Sequence, residues 1–298
     1  SDSNLALILS IVFILVGLGY KISAVPFHFW TPDVYEGSPT SITAYLSVAP
    51  KAAGFALIIR FFNIAFGSNS AMGSDEWSSL NSLPWPFLIA LLSAATMTIG
   101  NLVAIQQQSV KRMLAYSSIA HAGYMMMAIP VMSQSGIYGI MIYLFMYMLM
   151  NLGAFFVVMY VQDKFDGENF EAFNGLGWKM PLLGISMTLF MVALTGLPPT
   201  SGFVGKFYIF AAVIEAGNQY YWLAFVGVIN SVVSLYYYIK VVRHMYFEGE
   251  RSDIVSLPES KLTTSLVLVL ALPTFFLGWY FSPLVEWANN SLNFFLGS

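Results

Sequence analysis

No Asp, Glu, Lys or Arg occurs between Glu76 and Lys111, and none again between Arg112 and Asp163. Charge-free runs of that length do not suit the surface of a soluble helix, so hydrocarbon is the solvent they fit. The rest of the chain agrees, because 58% of its 298 residues are hydrophobic and 9% charged, whereas a soluble domain carries about 25% charged residues. With about 20 residues per crossing, the apolar runs fall at 5–30, 42–66, 86–106, 113–131, 137–162, 182–215, 221–246 and 262–281. The expected fold is an all-α polytopic membrane protein of about eight transmembrane helices, with both termini on one side.

Orientation follows from the basic residues in the connections. Lys111 and Arg112, Lys164 and Lys179, then Lys240, Arg243, Arg251 and Lys261 all follow odd-numbered runs, while the other side has only Arg60 near a helix end. The positive-inside rule makes those odd connections cytoplasmic. The linker 67–84, rich in Ser, Asn and Gly with acidic charge only, suits an outside loop. Trp77, Trp85, Trp222 and Trp279 sit near helix ends, where interfacial aromatics collect.

Two runs are interrupted. Run 5–30 holds Gly17, Gly19 and Pro26, and run 182–215 holds Thr195-Gly196-Leu197-Pro198-Pro199-Thr200-Ser201-Gly202 in its middle. A straight helix over 182–215 would be about 51 Å long at about 1.5 Å per residue, against a hydrocarbon core of about 30 Å, so it must break or turn. Paired interrupted helices point to a transporter built from repeats, with its ion site at the breaks. Each interrupted run carries a lysine, Lys21 and Lys206.

The third lysine is deeper. Lys51 is nine residues from Ile42 and eleven from Phe62, about 14 and 16 Å of helix, too far for its side chain to reach water. Hydrocarbon disfavours the ammonium form and a nearby carboxylate favours it, so a lysine held between the two can accept and release protons. A fixed ion pair that only pins two helices is the competing reading. Snorkelling competes with function for Lys206 and Lys21, whose depth depends on where the breaks fall. His121, among Ser117-Ser118-Ile119-Ala120, is either a proton relay or an interhelical hydrogen bond, and His28, after Pro26, is either a relay or a loop contact. His244, Lys240 and Arg243 read as interfacial or topology residues. Asp33 and Glu36 lie in the connection 31–40, whose prolines and glycine call for a fixed turn that can cap the next helix. No carboxylate within the spans offers itself to Lys21 or Lys51.

Several classes are excluded. The net charge of −3 and the lack of a basic stripe argue against nucleic acid. Without cysteine the chain holds neither an iron–sulfur cluster nor a disulfide, so any redox step belongs to partner subunits. The 16 Met and 25 Phe read as packing and lipid-facing residues, with nothing marking a quinone or haem site. No charged n-region or cleavage site precedes the first apolar run, so no signal peptide is expected, and a native start is expected upstream of Ser1.

Four stretches carry a family resemblance. They are 17–40, with Lys21, Pro26, His28 and Val34-Tyr35-Glu36-Gly37-Ser38-Pro39; Ala49-Pro50-Lys51; 108–124, with Lys111-Arg112 and Ser117-Ser118-Ile119-Ala120-His121; and 195–208, with Leu197-Pro198-Pro199-Thr200-Ser201-Gly202 and Lys206. Across essentially the whole chain the sequence resembles the antiporter-like membrane subunit N, or subunit 2, of respiratory complex I (NDH-1). The resemblance implies a fourteen-helix fold with two inverted five-helix repeats, each with a broken helix, of which this chain is similar to the last eight helices. It divides the chain into 1–66 as the end of the first repeat, 84–250 as the second repeat, and 251–298 as a C-terminal helix. It further implies that Lys21, Lys51 and Lys206 form a proton-translocating row, with His121 on the same axis and His28 near it. A glutamate facing Lys21 would lie on a helix before this chain begins.

No cofactor is expected in this chain. NADH or another donor, FMN, iron–sulfur clusters and quinone are expected in partner subunits, which include other antiporter-like subunits. The implied location is a bacterial cell inner membrane, with thylakoid or mitochondrial inner membranes as alternatives. Subunits of multi-subunit sodium/proton antiporters share the fold and the lysines and form the rival reading, although the connection 31–40 looks more like subunit N. A purely structural scaffold is the third class, and lysines at breaks and mid-span argue against it, because packing alone does not need them.

Overall fold

The computed structural model describes residues 2–66, 85–131, 133–249 and 261–296. The linker 67–84 with Trp77, and Arg251, lie outside these. Among the described residues the elements are all helical: α1 (Asp2–Ile22), α2 (Trp30–Gly37), α3 (Thr40–Phe66), α4 (Trp85–Ile105), α5 (Val110–Met126), α6 (Gln134–Phe165), α7 (Leu176–Lys179), α8 (Pro181–Thr195), α9 (Ser201–Glu215), α10 (Tyr221–Phe247), α11 (Lys261–Phe276) and α12 (Ser282–Leu296). Among the described residues, four helical stretches are long and apolar enough to cross a bilayer: Thr40–Phe62, Trp85–Ile105, Gln134–Phe165 and Asn218–Phe247. Phe13, Phe225, Val232, Tyr236 and Val269 are exposed on the outer faces, as a lipid-facing belt requires.

The least apolar of the long helices lies at the centre. In α5 every residue except Arg112 and Tyr116 is buried, and α5 packs against α2, α3, α4, α6, α9 and α10. A helix buried on all sides normally reads as apolar all round. Here Ser117, Ser118 and His121 are buried too, so the centre of the bundle is polar. The α4–α5 crossing is close because it uses glycine on both sides: a Cβ at Gly100 would lie 2.7 Å from the Ala120 nitrogen, and one at Gly123 2.6 Å from the Met97 nitrogen. Small residues at crossings are how membrane helices approach this tightly.

Both interrupted runs break, in different ways. The first helix stops at Ile22, and after a turn through Ser23 (φ 64°) the chain enters α2. The connection 31–40, expected to be a turn, is therefore mostly helix. Pro32 is accommodated because it falls in the first turn of α2, where backbone N–H groups have no intrahelical partner. In the second run α8 ends on Gly196 (φ 86°), whose N–H reaches back to the Val192 and Ala193 carbonyls, and α9 restarts at Ser201. That glycine supplies the left-handed conformation which closes a helix C-terminus. The last apolar run also differs from its expected form, with α11 ending at Phe276 and a further helix, α12, following an elbow. Trp85, expected at an interface, is instead buried and stacked on Phe62 with ring centroids 4.7 Å apart, whereas Trp222 and Trp279 are exposed.

Candidate functional site: a row of buried lysines and hydroxyls

Lys51 sits on α3 directly after Pro50, and it is 1% exposed. Its Nζ donates to the Ser118 carbonyl at 2.6 Å and to the Ser118 hydroxyl at 2.5 Å. A charge at mid-bilayer costs about 2.5–3.5 kcal/mol on insertion scales, and a hydrogen bond to a charged group returns about 1.5–3 kcal/mol. Two such bonds are of the size needed to hold an ammonium there without a carboxylate. Among the described residues no carboxylate forms an ion pair with Lys51, Lys206 or Lys21.

One turn along α5 from Ser118 is His121, which bridges two other helices. Its Nδ1 lies 2.6 Å from the Tyr143 hydroxyl on α6 and its Nε2 3.0 Å from the Tyr238 hydroxyl on α10. Tyr238 is in turn 2.5 Å from the Ser117 hydroxyl. In one tautomer Nδ1–H donates to Tyr143 and Nε2 accepts from Tyr238, and in the other both directions reverse. An imidazole bonded on both nitrogens can exchange a proton between two hydroxyls or simply bridge the helices that carry them. Three residues further on, Tyr124 lies with its ring 4.4 Å below the Nζ of Lys206.

Lys206, 4% exposed, is held at the second break. It donates to the Thr195 carbonyl at 2.7 Å and to the Ser231 hydroxyl at 2.9 Å. Thr195 is the last residue of α8, so the ammonium faces the negative end of that helix. A cavity of about 320 Å³ between α9 and α10 is floored by Lys206, Thr195 and Ser231 and walled by Phe203, Phe207 and Val232. Ser118, His121 and Tyr124 thus lie between Lys51 and Lys206 along about 9 Å of α5 at about 1.5 Å per residue, with the His121 and Tyr124 ring centroids 5.9 Å apart and the hydrogen bonds of His121 running sideways to Tyr143 and Tyr238. Behind them Asn101 donates to Asn230 at 3.1 Å and accepts from Tyr237 at 2.8 Å, extending the polar centre toward α4.

The other sequence candidates fall elsewhere. Lys21 lies at the end of α1 and is exposed, and among the described helices α1 packs chiefly on α3. Its stem runs beside Gly54 on α3, where a Cβ would lie 3.5 Å from the Lys21 Cγ. His28 is buried in the first break against the Phe29 ring at 4.4 Å, and no hydrogen bond joins it to the row on α5 among the described residues.

Asp33 and Glu36 pair with Arg112 rather than with a lysine of the row, Asp33 at 2.9 Å. Lys111, read from sequence as a topology charge, is 1% exposed. It donates to the Glu36 and Ser38 carbonyls at 3.0 and 2.7 Å, with Glu168 3.6 Å away. These contacts fasten the C-terminus of α2 to the start of α5. Tyr143, Tyr238, Tyr124 and Ser231 were not singled out from sequence. The available signal was the set Tyr143, Tyr147 and Asn151, four residues apart and so on one face of α6.

Fold and site together define an α-helical membrane protein organised around buried lysines at and between helix breaks. The sequence profile described as NADH:quinone oxidoreductase/Mrp antiporter, transmembrane, matches residues 1–234, and the chain belongs to that family. It is 52% identical over 284 residues to NADH-quinone oxidoreductase subunit N 2 of Sorangium cellulosum, covering 94% of this chain and 54% of that one. Among solved structures it is similar to a chain of respiratory complex I from Thermus thermophilus with bound aureothin, at TM-score 0.75 and 34% identity over 93% of this chain and 58% of that one. It shares its fold with a chain of the Mrp complex from Dietzia, at TM-score 0.82 and 20% identity over 97% of this chain and 59% of that one. The chain spans about half the length of the curated relatives it matches.

Proposed function

We propose that this chain is part of a proton-translocating N-type membrane subunit of an NADH:quinone oxidoreductase, working as a translocase without a redox step of its own. The observation that carries the reading is the row Lys51, Ser118, His121, Tyr124 and Lys206 laid along α5, buried throughout and without a carboxylate partner for its lysines among the described residues. Each lysine faces carbonyl and hydroxyl acceptors, so either charge state has hydrogen-bonding partners and each amine can take up or release a proton in place. A change in field or contacts that favours the ammonium at one end drives the proton toward it.

Entry from the α2 side is favoured by a buried polar stripe on α3. Thr40, Thr43, Ser47 and Lys51 recur every three or four residues, with Thr40 donating to Gln162 at 2.5 Å and Asn151 donating to Ser47 at 2.6 Å. Lys21 would take its place in the row beside an acidic partner on preceding helices, and His28 would stand near it.

The reading carries further expectations. Residues 1–66 end a first repeat, 84–250 form a second repeat inverted relative to it, and 251–298 form the C-terminal segment, with about eight crossings in all. Two breaks, one placing its lysine before the interruption and the other after it, support such an inversion. Partners are other antiporter-like and membrane subunits of the complex, cofactors lie outside this chain, and the location is a bacterial inner membrane. The relatives named subunit N favour this reading over a sodium/proton antiporter subunit. Inverted vesicles holding the full complex should acidify when NADH and quinone are supplied. A sodium-driven pH change without a donor would instead establish the antiporter.

A further inference from the structure

Residues 261–296 lie beyond the stretch matched by the family profile, which ends at 234. They nevertheless form a second broken helix laid against the first. α11 packs on α6, α8 and α9, α12 packs on α6, and the elbow between them meets the α8–α9 break. The contact is backbone to backbone. A Cβ on Gly278 would lie 2.0 Å from the Pro199 carbonyl oxygen, 2.6 Å from its carbon and 2.8 Å from the Thr200 carbonyl carbon. Gly278 is needed there for space, and no flexible side chain is in the way to yield. Past the elbow, Leu284 and Ala288 of α12 pack in one cluster with Ile142 and Met146 of α6 and with Val204, which lies two positions before Lys206. The elbow therefore braces the break whose preceding residue, Thr195, offers its carbonyl to Lys206 at 2.7 Å.

We propose that Gly278 is a positioning residue for proton transfer at Lys206: the α11–α12 elbow seats on the Pro199 carbonyl and holds the Thr195 carbonyl in line with the lysine amine. This rests on the proton-translocation reading above. A methyl group at 278 forces the break or the elbow to move by about 1 Å, and displacements of that size cost on the order of a hundredfold where geometry governs reaction.

The test uses the intact complex in inverted vesicles, with Gly278→Ala, Leu284→Ala and Lys206→Met compared per assembled complex. Gly278→Ala is expected to lower the turnover of quinone-driven proton pumping at least threefold while leaving the KM for quinone unchanged, and Leu284→Ala to lower it less. A purely architectural role would reduce only the amount of assembled complex, and native turnover per assembled complex in Gly278→Ala overturns the proposal. Should Gly278→Ala fail to assemble, Leu284→Ala decides in the same way, with native turnover per complex again overturning it. Native pumping by Lys206→Met would instead remove the underlying reading, so the two failures are distinguishable.

Discussion

Replacing His121 separates a relay from a bridge. The Tyr143 hydroxyl has its hydrogen bond at Nδ1, 2.6 Å away, whereas the Tyr238 hydroxyl keeps Ser117 at 2.5 Å if Nε2 is lost. His121→Phe therefore orphans one buried hydroxyl, a cost of about 1–3 kcal/mol, and removing that hydroxyl as well in His121→Phe/Tyr143→Phe should recover about 1 kcal/mol or more of it. His121→Gln is the informative variant. Its amide has both a donor and an acceptor for the two tyrosines, so it should cost less stability than His121→Phe, but an amide does not exchange protons as an imidazole does. Pumping should fall at least tenfold, equivalent to about 1.4 kcal/mol on the barrier. The assay is NADH-driven acidification of inverted vesicles, normalised to assembled complex, alongside thermal unfolding of the detergent-extracted complex. Native pumping by His121→Gln would refute the relay and leave His121 as a hydrogen bond between α5, α6 and α10.

Other substitutions test the frame around the row. Lys111→Met leaves the Glu36 and Ser38 carbonyls without their buried donor and should cost about 1–3 kcal/mol. Arg112→Ala breaks ion pairs whose side chains are 28% exposed on Arg112, 73% on Asp33 and 42% on Glu36, and should cost about 0–1 kcal/mol. Thermal midpoints in that order are expected, and the reverse order would contradict the assignment of Lys111 as the main fastener of α2. Gly123→Val should overpack the α4–α5 crossing by about 1–3 kcal/mol or more and lower the yield of assembled complex. Immunoblots of solubilised membranes check this, with undiminished yield as the contrary result.

Much of this arrangement was legible in the sequence, for reasons that can be named. The lysines stood out because hydrocarbon excludes charge, and the breaks because 182–215 is too long for one crossing. What sequence missed depended on tertiary packing. Residues 30–37 look like a turn by their proline and glycine, yet Pro32 is harmless in a first helical turn and the carbonyls at the other end of α2 are closed by Lys111, 75 residues away from Glu36. Tyr143 and Tyr238 are ordinary apolar-run tyrosines until α6 and α10 bring them to opposite sides of one imidazole. The exposure of Lys21 was equally hidden, because it depends on which faces of α1 the described helices cover.

The central claim is that protons pass through Lys51, whose only described acceptors are the two oxygens of Ser118. Its most direct test is the number of protons moved per electron in vesicles carrying the intact complex with Lys51→Ala, scored per assembled complex. The account predicts near-native assembly with proton movement reduced at least tenfold. Native proton movement by the assembled Lys51→Ala complex would contradict it.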